Sequence, residues 1–359
     1  MRLSFLPQKL GEQQDETMLL VSVNECSSNG SSSSSSAAAN STTTRRNNSS
    51  STTPSIFKMK TSMQDESLLA SEDIFTSHHH TKYHNSGSIY KQHPLAPKNN
   101  YKNISVSFLS DRTIQIIKIQ RPEVKNAIDR RTADELYQAF FDFEKDVNAR
   151  VAILYGSETD FCVGADLKAV SEGNLNQVEP VTKTAKGPLG PTRMSLSKPV
   201  IAAIGGGYCV AGGLELACWC DLRVCKTNSI FGVNCRRYGV PLIDGGSIRL
   251  PTLIGLSRAM DLILTGREID GKEAHKIGLI NRIISKDENV LDCAVKLANQ
   301  LCVFPQLCMR NDKTSALEAA YSGKSMKEKL QREYELGLTA LNIETVKGAK
   351  AFVNRKSKL

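Results

Sequence analysis

Gly205-Gly206-Gly207-Tyr208-Cys209-Val210-Ala211-Gly212-Gly213-Leu214-Glu215-Leu216 follows an unbroken apolar run, Val200 to Ile204, and continues into the apolar stretch Leu214 to Trp219. A short continuous apolar run suits a buried strand. The segment therefore reads as strand, glycine-rich turn from Gly205 to Gly213, and helix. The same plan occurs upstream. Val151 to Tyr155 is a buried-strand run, and the chain turns through Gly156 to Gly164 into a short helix, by way of Phe161-Cys162-Val163-Gly164-Ala165-Asp166-Leu167. A helix start presents unpaired backbone N–H groups and the positive end of the helix dipole. Small residues let a ligand approach that backbone closely. Two such starts facing one another would offer two donors to one oxygen, the anatomy of an oxyanion hole. Either turn alone is equally what tight packing would require.

Working outward, Ile104 to Leu109 and Thr113 to Ile119 are β-rich runs separated by Ser110-Asp111-Arg112, which predicts a hairpin. A helix follows, opened by Asp129 or by the capping pair Thr132 and Glu135, with Leu136, Phe140, Phe143 and Val147 at helical spacing. Strands alternating with helices place the chain in the α/β class. From about Asp287 the pattern is helical, including Met326 to Leu341. Three regions follow: a Ser/Thr/Asn-rich tail over 1–103, a core over 104–286, and a helical segment over 287–359. The tail stretch Ser27 to Thr53 carries too little apolar surface to offset its ordering entropy, so disorder is expected there. His78-His79-His80 reads as part of a low-complexity tract.

Bulk properties narrow the classes. Of 359 residues, 40% are hydrophobic and 23% charged, ordinary for a soluble globular protein. The charge of +9 is dispersed, which favours a solvated basic surface over a site for a polyanionic ligand such as a nucleotide-bearing cofactor or RNA. The ten cysteines include no CxxC pair, and the core region holds a single histidine, His275, so a metal site is not expected. Reduced, buried cysteines imply a reducing compartment. The longest uncharged apolar stretch, Pro199 to Leu214, is too short and too glycine-rich for a membrane span.

From Ile104 onward the chain resembles the enoyl-CoA hydratase, or crotonase, superfamily. The resemblance lies in Arg121-Pro122 with Asn126-Ala127, Gly164-Ala165-Asp166, Lys198 to Ala203, and Gly212-Gly213-Leu214-Glu215-Leu216-Ala217. It continues through Cys220-Asp221-Leu222-Arg223, Gly245-Gly246, Arg249-Leu250-Pro251, Leu264-Thr265-Gly266 and Asp270 to Ile280. The resemblance implies a spiral of ββα units followed by a helical trimerisation segment, with assembly as a homotrimer or dimer of trimers. It implies an acyl-CoA substrate whose thioester enolate is stabilised, and no cofactor beyond the CoA that the substrate carries. By position, the oxyanion donors would be the N–H groups of Val163 and Gly212. The CoA contacts would fall at Val124, Asn126 and Ala127 and along Gly164, Ala165 and Asp166.

Glu215 matches the first of the two glutamates that hydratases use, and the resemblance implies an acid/base role at the substrate's α or β carbon. Taken by itself, it is also a helix-start carboxylate favoured by the dipole. Where the second glutamate would stand, the sequence has Cys235. Cys235 is either an inert core thiol or a weak stand-in. Asp244 lies close to where other members place a catalytic aspartate, and is equally readable as a turn residue before two glycines. Arg236 could line the site and pair an acidic substrate group or Asp244, or form surface salt bridges. The reaction implied is hydration of a 2-enoyl-CoA in fatty-acid metabolism. A double-bond isomerase, or a non-catalytic acyl-CoA- or RNA-binding scaffold, is the alternative. Ser357-Lys358-Leu359 reads as a peroxisomal address recognised by an import receptor, with mitochondrial or cytoplasmic placement as the alternatives.

Overall fold

The computed structural model describes residues 100–181 and 186–356. The tail expectation over 1–99 and the Ser-Lys-Leu tripeptide lie outside the described residues.

The expected hairpin is present. β1 (Ile104–Leu109) and β2 (Ile114–Ile119) pair antiparallel, with Ile104 opposite Ile119. Its turn places Ser110, Asp111 and Arg112 all at positive φ. α1 (Arg130–Lys145) starts at Asp129, whose side chain accepts the Thr132 N–H at 2.8 Å. Asp129 is thus the cap. Glu135, the alternative capping partner, instead accepts the N–H groups of Lys102 and Asn103. Leu136, Phe140 and Phe143 are fully buried, whereas Val147 lies past the helix end and is 92% exposed. The buried Lys198 explains the end of α1. Its Nζ donates to the carbonyls of Phe143 and Asp146 at 2.7 and 2.6 Å, satisfying groups the helix leaves unpaired.

β3 (Val151–Tyr155) leads to α2 (Leu167–Ser171), and β4 (Val200–Ile204) leads to β5 (Tyr208–Val210) and α3 (Gly212–Trp219). The glycine-rich stretch is therefore not a simple turn, because a strand lies inside it. β6 (Leu222–Lys226) is followed by β7 (Ile230–Gly232), α4 (Gly246–Ile254), α5 (Leu256–Thr265), β8 (Glu268–Asp270), α6 (Gly271–Lys276) and β9 (Arg282–Ile284). One sheet has the order β1-β2-β3-β4-β6-β9, parallel beyond the hairpin; a second has the order β5-β7-β8. Successive units send a first strand to the large sheet and a second to the small one. β4, β5 and α3 form one such unit. In the unit of β3 and α2, a bridge between Cys162 and Cys209 replaces the second strand. This is the ββα spiral expected.

Side chains alternate across the large sheet with period two, as pleated strands require. Ile153, Ile201 and Val224 pack against α7 (Val290–Cys302) through Val290, Ala294 and Ala298. Leu154, Ala202 and Ile204 join Phe140, Leu214 and Leu216 on the other face. α7 thus covers the sheet although it lies beyond residue 287. α8 (Gln306–Tyr321), α9 (Met326–Ala340) and α10 (Val346–Lys356) complete the helical segment. The buried Arg223 donates to the carbonyls of Cys220 and Leu279, both at 2.7 Å, and so fixes the end of α3 against the chain before β9.

Candidate active site

The two glycine-containing turns meet. A side chain on Gly164, which has φ +91°, would stand 2.7 Å from the Gly212 nitrogen, and one on Gly213 would collide with the Cys162 carbonyl. Glycine at both positions is thus what lets the start of α3 seat on the first loop. Ala211 is held at φ +53°, an uncommon conformation for a residue with a side chain. Its N–H donates to Gly232 at 2.8 Å, and its carbonyl accepts from Leu214 and Glu215. Neither the Val163 nor the Gly212 N–H meets an acceptor among the described residues. Both residues line a cavity of ≈ 730 Å³, ample for a drug-sized ligand.

The walls of that cavity are largely apolar, formed by Val124, Ala127, Leu167, Val170, Leu189, Val210, Val240 and Ile243. Glu215, one turn into α3, is 3% exposed and faces it. Its Oε1 accepts two backbone N–H groups, from Asp244 at 3.0 Å and Gly246 at 2.8 Å. Its Oε2 makes no hydrogen bond among the described residues. Burial, reinforced by the charge of Asp244, pushes the Glu215 carboxyl up to about 7; the two N–H donors and Arg249 pull the other way. A carboxyl with one oxygen fixed, the other free and a proton exchangeable near neutrality is equipped for acid/base work.

A sequence model described as enoyl-CoA hydratase/isomerase matches residues 110–358. The chain belongs to this family. It is 34% identical to the carnitinyl-CoA dehydratase of Proteus mirabilis over 248 residues, covering 67% of this chain and 92% of that one. Among solved structures, an enoyl-CoA hydratase from Mycobacterium tuberculosis H37Rv superposes with a TM-score of 0.65 at 34% identity, over 70% of this chain and 96% of that one. One from Mycobacterium marinum gives 0.64 at 32% identity, with the same coverage.

The crotonase fold of this chain brings most of the expected site residues to one place. Glu215, Asp244, Val163, Gly212, Val124, Ala127, Ala165, Asp166 and Cys235 all line the cavity. Asp244 is 4% exposed, and its Oδ1 accepts the Leu189 N–H at 3.0 Å and the Thr192 hydroxyl. Burial raises its pKa against those donors and the nearby Arg193 and Arg249. It is far from a simple turn residue. Cys235 sits in a 3₁₀ turn, Asn234–Tyr238, and burial beside Glu215 holds its thiol above the usual range, so it is a neutral neighbour.

Three expected residues do not line the cavity. Arg236 is exposed and its Nε donates to the Ile263 carbonyl at 3.1 Å, so it pairs no acidic group in the site. The 3₁₀ turn carries Cys235 inward and its neighbour outward. Asn126 is 1% exposed, with its Oδ1 accepting from the Arg121 N–H and its Nδ2 donating to Asp160. It shapes the loop at Lys125 and Asn126, both at positive φ. Gly164 serves packing. Asp166 reaches the cavity edge but is already employed, pairing Arg121 at 2.9 Å and capping α2 through Lys168 and Ala169.

Sequence reading missed Thr192 and Leu189, which lie on the segment Gly187 to Arg193, and gave Arg249 no role. It also missed Tyr208 and Lys125, whose ammonium lies 4.2 Å from the Tyr208 ring centre at the cavity wall. Arg249 and Tyr208 were visible only as parts of motifs; nothing local marked Thr192, Leu189 or Lys125. Among the described residues no group of three His, Cys, Asp or Glu is placed to hold a metal. No helix among them is long and apolar enough to cross a membrane.

Proposed function

We propose that this chain hydrates a 2-enoyl-CoA, or runs the reverse dehydration, with Glu215 as the acid/base group. The observation that carries the reading is Glu215 itself, with Oε1 pinned by two N–H groups and Oε2 free, in a cavity also lined by Val163 and Gly212, whose N–H groups are unpaired among the described residues. The thioester oxygen accepts from those two donors. Ionised Glu215 takes a proton from water as the water oxygen bonds to the β carbon, and negative charge passes to the thioester oxygen as an enolate. The carboxyl then returns the proton to the α carbon. Charge develops where fixed dipoles already point, so little reorganisation accompanies the step. The dehydratase and hydratase relatives perform the two directions of such chemistry by name, which supports the reading.

A second reading, double-bond isomerisation, is favoured by Cys235, a neutral thiol where hydratases carry a second carboxylate. One carboxylate suffices to move a proton between carbons. The test is purified protein with 2-enoyl-CoA and 3-enoyl-CoA substrates, followed by product mass. A gain of one water from the 2-enoyl substrate supports hydration. Isomer formation from the 3-enoyl substrate without mass change supports the second reading. No turnover of either, with CoA ester still bound, would return the scaffold alternative.

Two further parts of the proposal concern context. Peroxisomal import through Ser357-Lys358-Leu359 predicts cytosolic retention when residues are appended after Leu359, read by imaging. Assembly as a trimer or a pair of trimers is supported by exposed Leu330, Tyr334, Leu338 and Leu341 along α9 and just beyond it. Sedimentation measures the mass.

A further inference from the structure

Glu215 and Asp244 are each held by backbone N–H groups, and those groups belong to two separate stretches of chain. Asp244 and Gly246, at the start of α4, donate to Glu215. Leu189, on the segment Gly187 to Arg193, donates to Asp244. Arg249 joins the two stretches. Its Nη1 donates to the Asp244 carbonyl at 2.9 Å and its Nη2 to the Thr192 carbonyl at 2.7 Å. The guanidinium lies where a side chain on Gly245 would stand, and Gly245 is at φ +94°. Arg249 does not line the cavity.

Resting on the reading of Glu215 as acid/base group, we propose that Arg249 is a positioning residue for the reaction. It ties the Gly187–Arg193 segment to the start of α4, and so aims both carboxylates without touching substrate. A planar guanidinium can donate to two carbonyls from one rigid fork; an ammonium on a flexible stem cannot reproduce that geometry. Removing the fork leaves two inward-facing carbonyls without their donor and lets the segments separate.

The charge of Arg249 also acts on the site. Glu215 is faced by Asp244 at the start of α4, Cys235 from the 3₁₀ turn, Cys218 on its own helix, and Arg249. Arg249 is the cation among these. Asp244 is faced by Arg193 as well. Loss of Arg249 therefore removes the cation that favours ionised Glu215 and shifts its titration upward, a change that loosened packing alone would not direct.

The test compares R249M and R249K with wild type. ¹³C-carboxyl-labelled glutamate followed by NMR reports the Glu215 midpoint, its signal assigned by loss in E215Q. The pH profile of kcat, KM and a thermal melt complete the set. In R249M the Glu215 midpoint is expected to rise by about one pH unit. Its kcat is expected to fall by about tenfold or more with a smaller change in KM. R249K retains the charge, so its midpoint stays near wild type, yet its kcat falls by about tenfold because the fork is lost. A folded R249M with an unmoved midpoint overturns the proposal. So does R249K with wild-type kcat, which decides the matter if R249M does not fold. If wild type turns over no acyl-CoA, the functional reading fails, while the NMR titration still tests what Arg249 does to Glu215.

Discussion

Gly246→Ala separates the needs of the fold from those of the site. Gly246 is the first residue of α4 and is not at positive φ, so its helix would accept alanine. By propensity alone the change would stabilise by about 0.5–1 kcal/mol. The added methyl, however, would stand 2.7 Å from Glu215 Cγ and 2.8 Å from Oε1. Real contacts do not survive at that range, and the freer partner is the Glu215 side chain. Its carboxylate must swing away and give up the Gly246 N–H. A hydrogen bond to a charged group is worth about 1.5–3 kcal/mol. At about 1.4 kcal/mol per tenfold, that corresponds to roughly 10–150-fold in the poise and aim of Glu215. The expected result is a loss of turnover in that range with a thermal midpoint within a few degrees of wild type. In a Glu215→Ala background the obstruction is gone, so adding Gly246→Ala should be neutral or stabilising. The assay is enoyl-CoA turnover beside a thermal melt for the single and double variants. Full turnover in Gly246→Ala would show that Glu215 is not aimed by the start of α4.

Glu215→Gln should lower turnover by about 10²–10⁴-fold with acyl-CoA binding kept, measured by kinetics and calorimetry. Its stability carries a sign. The folded carboxyl, near 7, lies above its unfolded value, so protonated Glu215 stabilises the fold at low pH, and that contribution is lost as pH rises through 7. Melting midpoints should therefore show Glu215→Gln gaining on wild type between pH 5 and pH 8, by up to on the order of 3 kcal/mol; a constant offset would contradict the assignment. Gly164→Ala forces a side chain at φ +91° against the Gly212 nitrogen, and should cost about the 10²–10³-fold of one lost oxyanion donor, with KM less affected. Cys235→Ser should leave kcat within about threefold of wild type, since the thiol is neutral and buried; a larger loss would give the cysteine a direct part.

The sequence by itself determined the hairpin, the strands Val151–Tyr155 and Val200–Ile204, the helix after Asp129, the helical character of the last segment, and the glycine-containing turns at Gly164 and Gly212. These are local matters. Continuous apolar runs such as Val151 to Tyr155, the cap at Asp129 and glycines at helix starts act through neighbours in the chain, so their pattern is readable without the fold. Glu215, Val163 and Gly212, which line one cavity, could be named because their motif carries them at fixed offsets within such turns. The strand Tyr208–Val210 was not readable, because three residues inside a glycine-rich stretch become a strand only by pairing with Ile230–Gly232. Val147 was misplaced because periodicity continued past the point where Lys198, far along the chain, ends the helix.

What tertiary structure decided is how the site is held. Glu215 receives the Gly246 N–H across 31 residues, and Asp244 receives the Thr192 hydroxyl across 52. Nothing near Thr192 in sequence marks it, since its partner exists only once the Gly187–Arg193 segment lies on the start of α4. The same holds for direction. Cys235 and Arg236 are adjacent in sequence, yet a 3₁₀ turn sends one into the cavity and leaves the other exposed, donating to the Ile263 carbonyl. Residue type and spacing depend on near neighbours, whereas a carboxyl's burial, its donors and hence its proton affinity depend on groups that only folding brings within reach.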